Sequence, residues 1–126
     1  MAMLVLGLVI KDHVGLLSLM WNVATMSRKF TSFSEFYPYY LEEHRNSACR
    51  KLHFVGSWLV LGVIAFSIWQ RDARWLLLVP LVGYGFAWVG HFFFEKNKPA
   101  TFTYPFYSLA GDWVMWKDLL LGRQKF

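Results

Sequence analysis

Apolar positions along this 126-residue chain gather into long runs instead of alternating. Two of the runs, Leu52–Trp69 and Trp75–Phe94, hold no Lys, Arg, Asp or Glu, and only Gln70-Arg71-Asp72-Ala73-Arg74 separates them. As helices they would extend about 27 Å and about 30 Å, close to the roughly 30 Å hydrocarbon core of a bilayer. So short a connection makes them antiparallel, and the pattern predicts a membrane hairpin over 52–69 and 75–94. Pro80 falls in the first turns of the second run, where its missing donor does least harm. Gly83, Ala87 and Gly90 recur at i, i+4 and i+7, a strip of small residues where another helix can approach closely.

Shorter amphipathic stretches flank the hairpin. Phe33, Phe36, Tyr37, Tyr40, Leu41 and His44 form one helical stripe, with Glu35, Glu42 and Glu43 on the other side. Ser34 is the expected N-cap, and Pro38 then stands near enough to the helix start to be tolerated. The prediction is a helix over 34–44 lying in the membrane interface. After Lys96-Asn97-Lys98-Pro99 and a loop, a second interfacial helix is expected over 105–121. It contains Asp112, Lys117 and Asp118, its apolar edge is Trp113, Trp116 and Leu120, and Gly122 and a basic tail stop it. The fold class is thus all-α: an integral membrane hairpin with interfacial helices on both sides. Residues 1–25 are apolar but carry Lys11-Asp12-His13 in their middle, costly in lipid. They read either as a poorer third membrane helix or, given Met20 and Met26, as a stretch ahead of a later start. The single domain is placed at 26–126.

Composition agrees with this picture. The chain is 56% hydrophobic and only 17% charged, where a soluble domain carries about a quarter charged residues. The net charge of +5 comes with no nucleic-acid motif, and anionic lipid headgroups are the simpler partner. Arg45, Arg50, Lys51, Lys96 and Lys98 flank the open end of the hairpin, against Arg71 and Arg74 in its turn, which places the open end in the cytoplasm. Cys49 is the only cysteine, which excludes an intrachain disulfide and a Cys-based zinc site and leaves it as a packing residue.

Each apolar run holds one histidine, His53 at the start of the first and His91 near the end of the second, so an antiparallel hairpin brings them to the same end. His44 lies nine residues before His53, on the opposite face if the helix were unbroken. Asn46 and Ser47, good caps and poor interior residues, supply a break that lets both rings point to one place. Three imidazoles at a membrane edge suit iron, zinc or copper. Glu95, four residues after His91, and Asp112, from the last helix, are candidate further ligands or hydrogen-bond partners of the ligands. The plainer reading, amphipathic rings that close off apolar stripes, stays open at this point. No Gly-rich phosphate loop, nucleophile elbow or haem attachment motif is present.

The order of residues adds a resemblance. Glu35-Phe36-Tyr37-Pro38-Tyr39-Tyr40-Leu41, Glu43-His44-Arg45-Asn46, Leu52-His53-Phe54-Val55-Gly56, Gly90-His91-Phe92-Phe93-Phe94-Glu95 and Lys98-Pro99-Ala100 are similar to the Mpo-type family. The match runs from about Phe33 to Gly122. It implies an Fe(II)-dependent dioxygenase that takes 2-hydroxy fatty acids and O2 to the one-carbon-shorter acid and CO2 by α-oxidation, with His44, His53 and His91 as the iron ligands. Arg45, Arg50 or Lys51 would pair with the substrate carboxylate, or else serve as solvated charges that fix topology, and the acyl tail would lie in the bilayer or in a groove near Trp58 and Trp88. Larger members carry four membrane helices and this chain offers two strong ones. A homo-oligomer would supply the missing enclosure, with the Gly83/Ala87/Gly90 strip as its candidate surface. The expected location is a bacterial inner membrane or the endoplasmic reticulum. Competing classes are a non-enzymatic hairpin that binds lipid or scaffolds partner helices, and a zinc-dependent lipid hydrolase.

Overall fold

A computed structural model describes Gly15 and residues 30–126. The chain divides into two compact units, residues 1–31 and 32–126, and the second carries the architecture below. Apart from Gly15, the expected extra helix over 1–25 lies outside the described residues, and so does His13. Among those described there is no strand, in keeping with the all-α expectation.

Helix α1 spans Phe33–Glu42. Its cap is Ser32, not Ser34: Ser32 has the extended backbone a cap requires, and its hydroxyl accepts from the Glu35 N–H at 3.3 Å. The aromatic stripe faces protein instead of lipid. Phe36 and Tyr40 are buried against helix α4, Pro105–Leu120. Gly111 of α4 makes this docking possible, because a Cβ there would stand 2.9 Å from the Tyr40 ring.

The expected break falls where Asn46 predicts it. Asn46 caps helix α2, Ser47–Gln70, its side-chain oxygen accepting from the Ala48 N–H at 2.9 Å. The helix therefore starts five residues before Leu52, taking Arg50 and Lys51 into its first turns. It ends at Arg71, which adopts the left-handed conformation (φ 54°) that lets the Asp72 N–H reach back to the Ser67 carbonyl. Asp72 then caps the return. A 3-10 turn over Ala73–Leu77, helix α3 over Leu78–Val89 and a π-helical turn over Gly90–Glu95 follow without interruption.

The two members of the hairpin, 24 and 23 residues, are long and apolar enough to cross a membrane. Their outer faces are uncovered: Ile68 is 72% exposed, Leu77 78% and Phe93 72%. A soluble core helix would hide such residues, whereas lipid would cover them at no cost. Between the members, close approach depends on glycine. A Cβ on Gly56 would come within 2.9 Å of Phe86, one on Gly90 within 2.9 Å of the Cys49 sulfur, and one on Gly83 within 3.4 Å of Val60. Gly83 and Gly90 of the Gly83/Ala87/Gly90 strip thus approach α2 of the same chain.

Helix α4 differs from expectation in the face it buries. Ser108, Gly111, Met115, Asp118 and Leu119 are inside, while Leu120 is half exposed and Trp113 and Trp116 are only partly covered. An aspartate can occupy the buried face because Tyr37 donates its hydroxyl to the Asp118 carboxylate at 2.7 Å. A hydrophobicity pattern does not register such a partner.

Candidate metal centre

His44 lies just beyond the end of α1, His53 in the second turn of α2 and His91 in the π-helical turn. The fold brings them together. All three are buried, and their ring centroids stand 4.4, 4.5 and 5.1 Å apart. The π turn begins at Gly90, which packs directly against Cys49, so His91 is held at the α2 contact. Such local widenings of a helix recur at functional sites.

The protonation of each ring follows from its neighbours. His44 Nδ1 is 2.6 Å from the Tyr40 carbonyl oxygen and His53 Nδ1 is 2.9 Å from the Cys49 carbonyl oxygen. Carbonyls only accept, so both Nδ1 atoms carry the proton. His91 Nδ1 is 2.8 Å from Asn97 Oδ1. The orientation of that amide is set by its own nitrogen, which donates to the Glu43 carbonyl at 3.0 Å and to the Glu43 carboxylate at 2.9 Å. His91 therefore also donates through Nδ1. In every ring the Nε2 lone pair is left as the available donor.

Two of these lone pairs face each other. His44 Nε2 and His53 Nε2 are 3.1 Å apart, and with both protons on Nδ1 no hydrogen bond joins them. Two ring nitrogens that share one cation at about 2.1 Å would be separated by about 3.0–3.4 Å, for bond angles between about 90° and about 110°. The spacing and the tautomers fit a bound metal, and so does the burial. Desolvation, followed by the neighbouring rings His53 and His91, holds the His44 pKa well below the ordinary histidine range, keeping it neutral and able to ligate.

Cys49 completes a buried His/Cys/His/His cluster able to hold a metal ion, with one donor atom from each residue within 4.8 Å of the others. Its sulfur is 3.6 Å from His53 Nδ1, on the ring edge turned away from Nε2. The thiol thus backs the cluster while packing against Gly90. Composition gives Cys49 as a packing residue. It is one, and the fold also sets it beside the cluster. The i, i+4 relation to His53 was the signal that would have found it.

Asp112 and Tyr40 close one side. The Asp112 carboxylate is 3.9 Å from His53 Nε2 and accepts the Tyr40 hydroxyl, whose ring stacks on His44 at 4.0 Å. Burial pushes the Asp112 carboxyl up to about 7, against the pull of the Tyr40 hydrogen bond. Tyr40 and Asn97 are contributors the sequence did not reveal as such.

The other expected residues stand elsewhere. Glu95 accepts from the Asn46 backbone N–H, tying the end of the second span to the start of the first. Arg45 is exposed and pairs with Glu42 at 3.0 Å. Arg50 donates to the His44 carbonyl at 2.5 Å and to the Lys125 carbonyl at 2.6 Å, so it positions the His44 segment and the chain end. Lys51 is exposed. None of the three cations lines either of the two cavities beside the cluster.

Two cavities meet there. A small one touches all three histidines, Trp88 and Ser108, whose buried hydroxyl has no hydrogen-bond partner among the described residues. A larger apolar groove of about 420 Å³ starts at His53 and Asp112 and runs between the spans to Ile64, Val79 and Pro80. Trp88 borders the first as expected near the substrate, but Trp58 borders neither and packs edge-on against Trp116 at 5.2 Å.

Fold and cluster together define a small helical protein with two bilayer-length apolar helices and a buried imidazole-rich site at their open end. The chain belongs to the family described as 2-hydroxy-palmitic acid dioxygenase Mpo1-like, whose model matches residues 30–124. No curated protein and no solved structure matches the chain.

Proposed function

We propose that the protein is a membrane-embedded non-haem Fe(II) dioxygenase that converts a 2-hydroxy fatty acid and O2 to the one-carbon-shorter fatty acid, CO2 and water. The observation that carries this reading is the convergence of three buried imidazoles beside an apolar groove, with every Nδ1–H already held by an acceptor. Family membership supplies the reaction class. The equation balances without a further reductant: the hydroxyl-bearing carbon and the carboxyl carbon give up four electrons, enough to reduce one O2.

His44, His53 and His91 would hold the metal, three ligands that leave coordination positions for both substrates. Bound iron would supply the one-electron chemistry that O2 needs. The chain does the rest. The carbonyls of Tyr40 and Cys49 and the amide of Asn97 fix the three rings and raise their basicity. Asp112 borders both cavities, so the 2-hydroxyl of a bound substrate meets an acceptor beside the histidines. Arg50 does not reach the cavity, but its charge acts at His44 and favours an anionic head group nearby. Lipid-facing spans keep the groove dry and let the acyl tail enter from the bilayer. The cationic flank at the open end favours a cytoplasmic site.

The test is metal analysis of protein purified in detergent, paired with O2 consumption and product mass on 2-hydroxypalmitate. Iron at near one per chain and a 15-carbon acid are expected, and His53→Ala or His91→Ala should remove both. Protein that stays inactive after anaerobic Fe(II) reconstitution would refute the reading.

A further inference from the structure

The groove between the spans has a length that can be compared with a fatty-acid tail. Its wall on α2 is the stripe His53, Ser57, Val60 and Ile64, and the facing wall on the second span includes Tyr84, Gly83 and Val79. From His53 the helix rises about 10 Å to Val60 and about 16 Å to Ile64. An extended hydrocarbon chain, with bonds of about 1.5 Å and tetrahedral angles, advances about 1.25 Å per carbon. Val60 therefore stands about eight carbons from the cluster and Ile64 about thirteen. The volume of about 420 Å³ lies in the range of sites that enclose small ligands, about 300–1,000 Å³.

Gly83 controls the middle of this passage. It meets Val60 where the two spans touch and forms the floor of the groove there, since a methyl group would already stand 3.4 Å from Val60. A larger side chain would have to occupy the groove itself.

We infer that the groove is an acyl-chain ruler: Gly83 keeps it open at the level of Val60, and Ile64 and Val79 set the longest tail it encloses, about thirteen carbons beyond the hydroxyl-bearing carbon. The inference rests on the dioxygenase reading for the identity of the head group. The occupant is a single straight acyl chain, because the groove is continuous with the cluster through His53 and Asp112 and is otherwise almost wholly apolar. Relative to free substrate in water, each enclosed methylene strengthens binding by roughly three- to fourfold, and methylenes beyond that length gain no further contact with the groove.

The experiment measures kcat/KM on straight-chain 2-hydroxy acids from 8 to 18 carbons for the wild type, Gly83→Leu and Ile64→Trp, each with its iron content and thermal unfolding recorded. Wild type should rise with length and level off near 15 carbons. Gly83→Leu should keep 2-hydroxydecanoate and lose at least about tenfold on 2-hydroxypalmitate, whereas Ile64→Trp should trim only the longest substrates. If Gly83→Leu does not fold, Ile64→Trp and Val79→Trp carry the same test at the far end. Length profiles that all the variants share with wild type would overturn the ruler and leave the dioxygenase reading intact. If wild type turns over no substrate of any length, it is the dioxygenase reading that fails. Binding then decides the groove: Trp113 lines it, so a fatty acid brominated along its tail should quench tryptophan fluorescence in metal-free protein, less so in Gly83→Leu. Equal quenching in both would overturn the ruler on that route as well.

Discussion

Replacing Asn97 with alanine tests the centre without touching a histidine. The Asn97 side chain accepts from His91 Nδ1 at 2.8 Å and donates twice to Glu43, so it links the π-helical turn to the end of α1. Without it, the His91 ring is free to rotate and its Nδ1–H loses its acceptor in a buried site. Partners of this kind are typically worth 10- to 100-fold in metal affinity, or about 1.4–2.8 kcal/mol. The unpaired group and the two lost bonds to Glu43 should also lower stability by about 1–3 kcal/mol. Asn97→Asp is a sharper control. It keeps an acceptor for His91 but sets a carboxylate against the Glu43 carbonyl and carboxylate, so it too should weaken metal binding. The assay is anaerobic Fe(II) competition against a chromogenic chelator, with thermal unfolding in the same detergent. Metal affinity within twofold of wild type in Asn97→Ala would refute the claim that this amide orients the third ring.

Other features make separate predictions. Gly90→Ala would set a methyl group 2.9 Å from the Cys49 sulfur and 3.2 Å from the Cys49 Cα; a loss of about 1–3 kcal/mol in unfolding is expected, partly recovered by adding Cys49→Ala. Tyr37→Phe removes the hydroxyl bound to buried Asp118 and should cost about 1–3 kcal/mol in the same measurement, with metal content unchanged. Arg45→Ala, which breaks only an exposed pair with Glu42, should change stability by less than about 0.5 kcal/mol. Arg50→Met should instead loosen the His44 segment and lower metal affinity, since the guanidinium holds the His44 carbonyl. Stripping the metal should lower Tm, because an ion bound only to the folded state at a thousand times its Kd contributes about 4 kcal/mol.

The hairpin was legible because its cause is local and repetitive. Two uninterrupted apolar runs of bilayer length with a polar turn have few other solutions, and Asn46 announced the break before α2 through its capping chemistry. The three histidines were legible too, as the polar rings at one end of that hairpin. Tertiary structure alone decided what surrounds them. Tyr40 and Asp112 are separated by 72 residues and meet because Gly111 leaves room for a ring, a fact no periodicity encodes. The same holds for α4, which buries Asp118 and leaves Leu120 outside because Tyr37 supplies a hydrogen bond from another helix. Glu95 and Arg50, which sequence proximity made candidates for the site, are drawn off by the backbone groups of Asn46 and His44. Hydrophobic pattern and capping are properties of neighbouring residues, and so the chain states them directly. Hydrogen-bond partners and cavities belong to pairs of distant residues, and they exist only once the helices have packed.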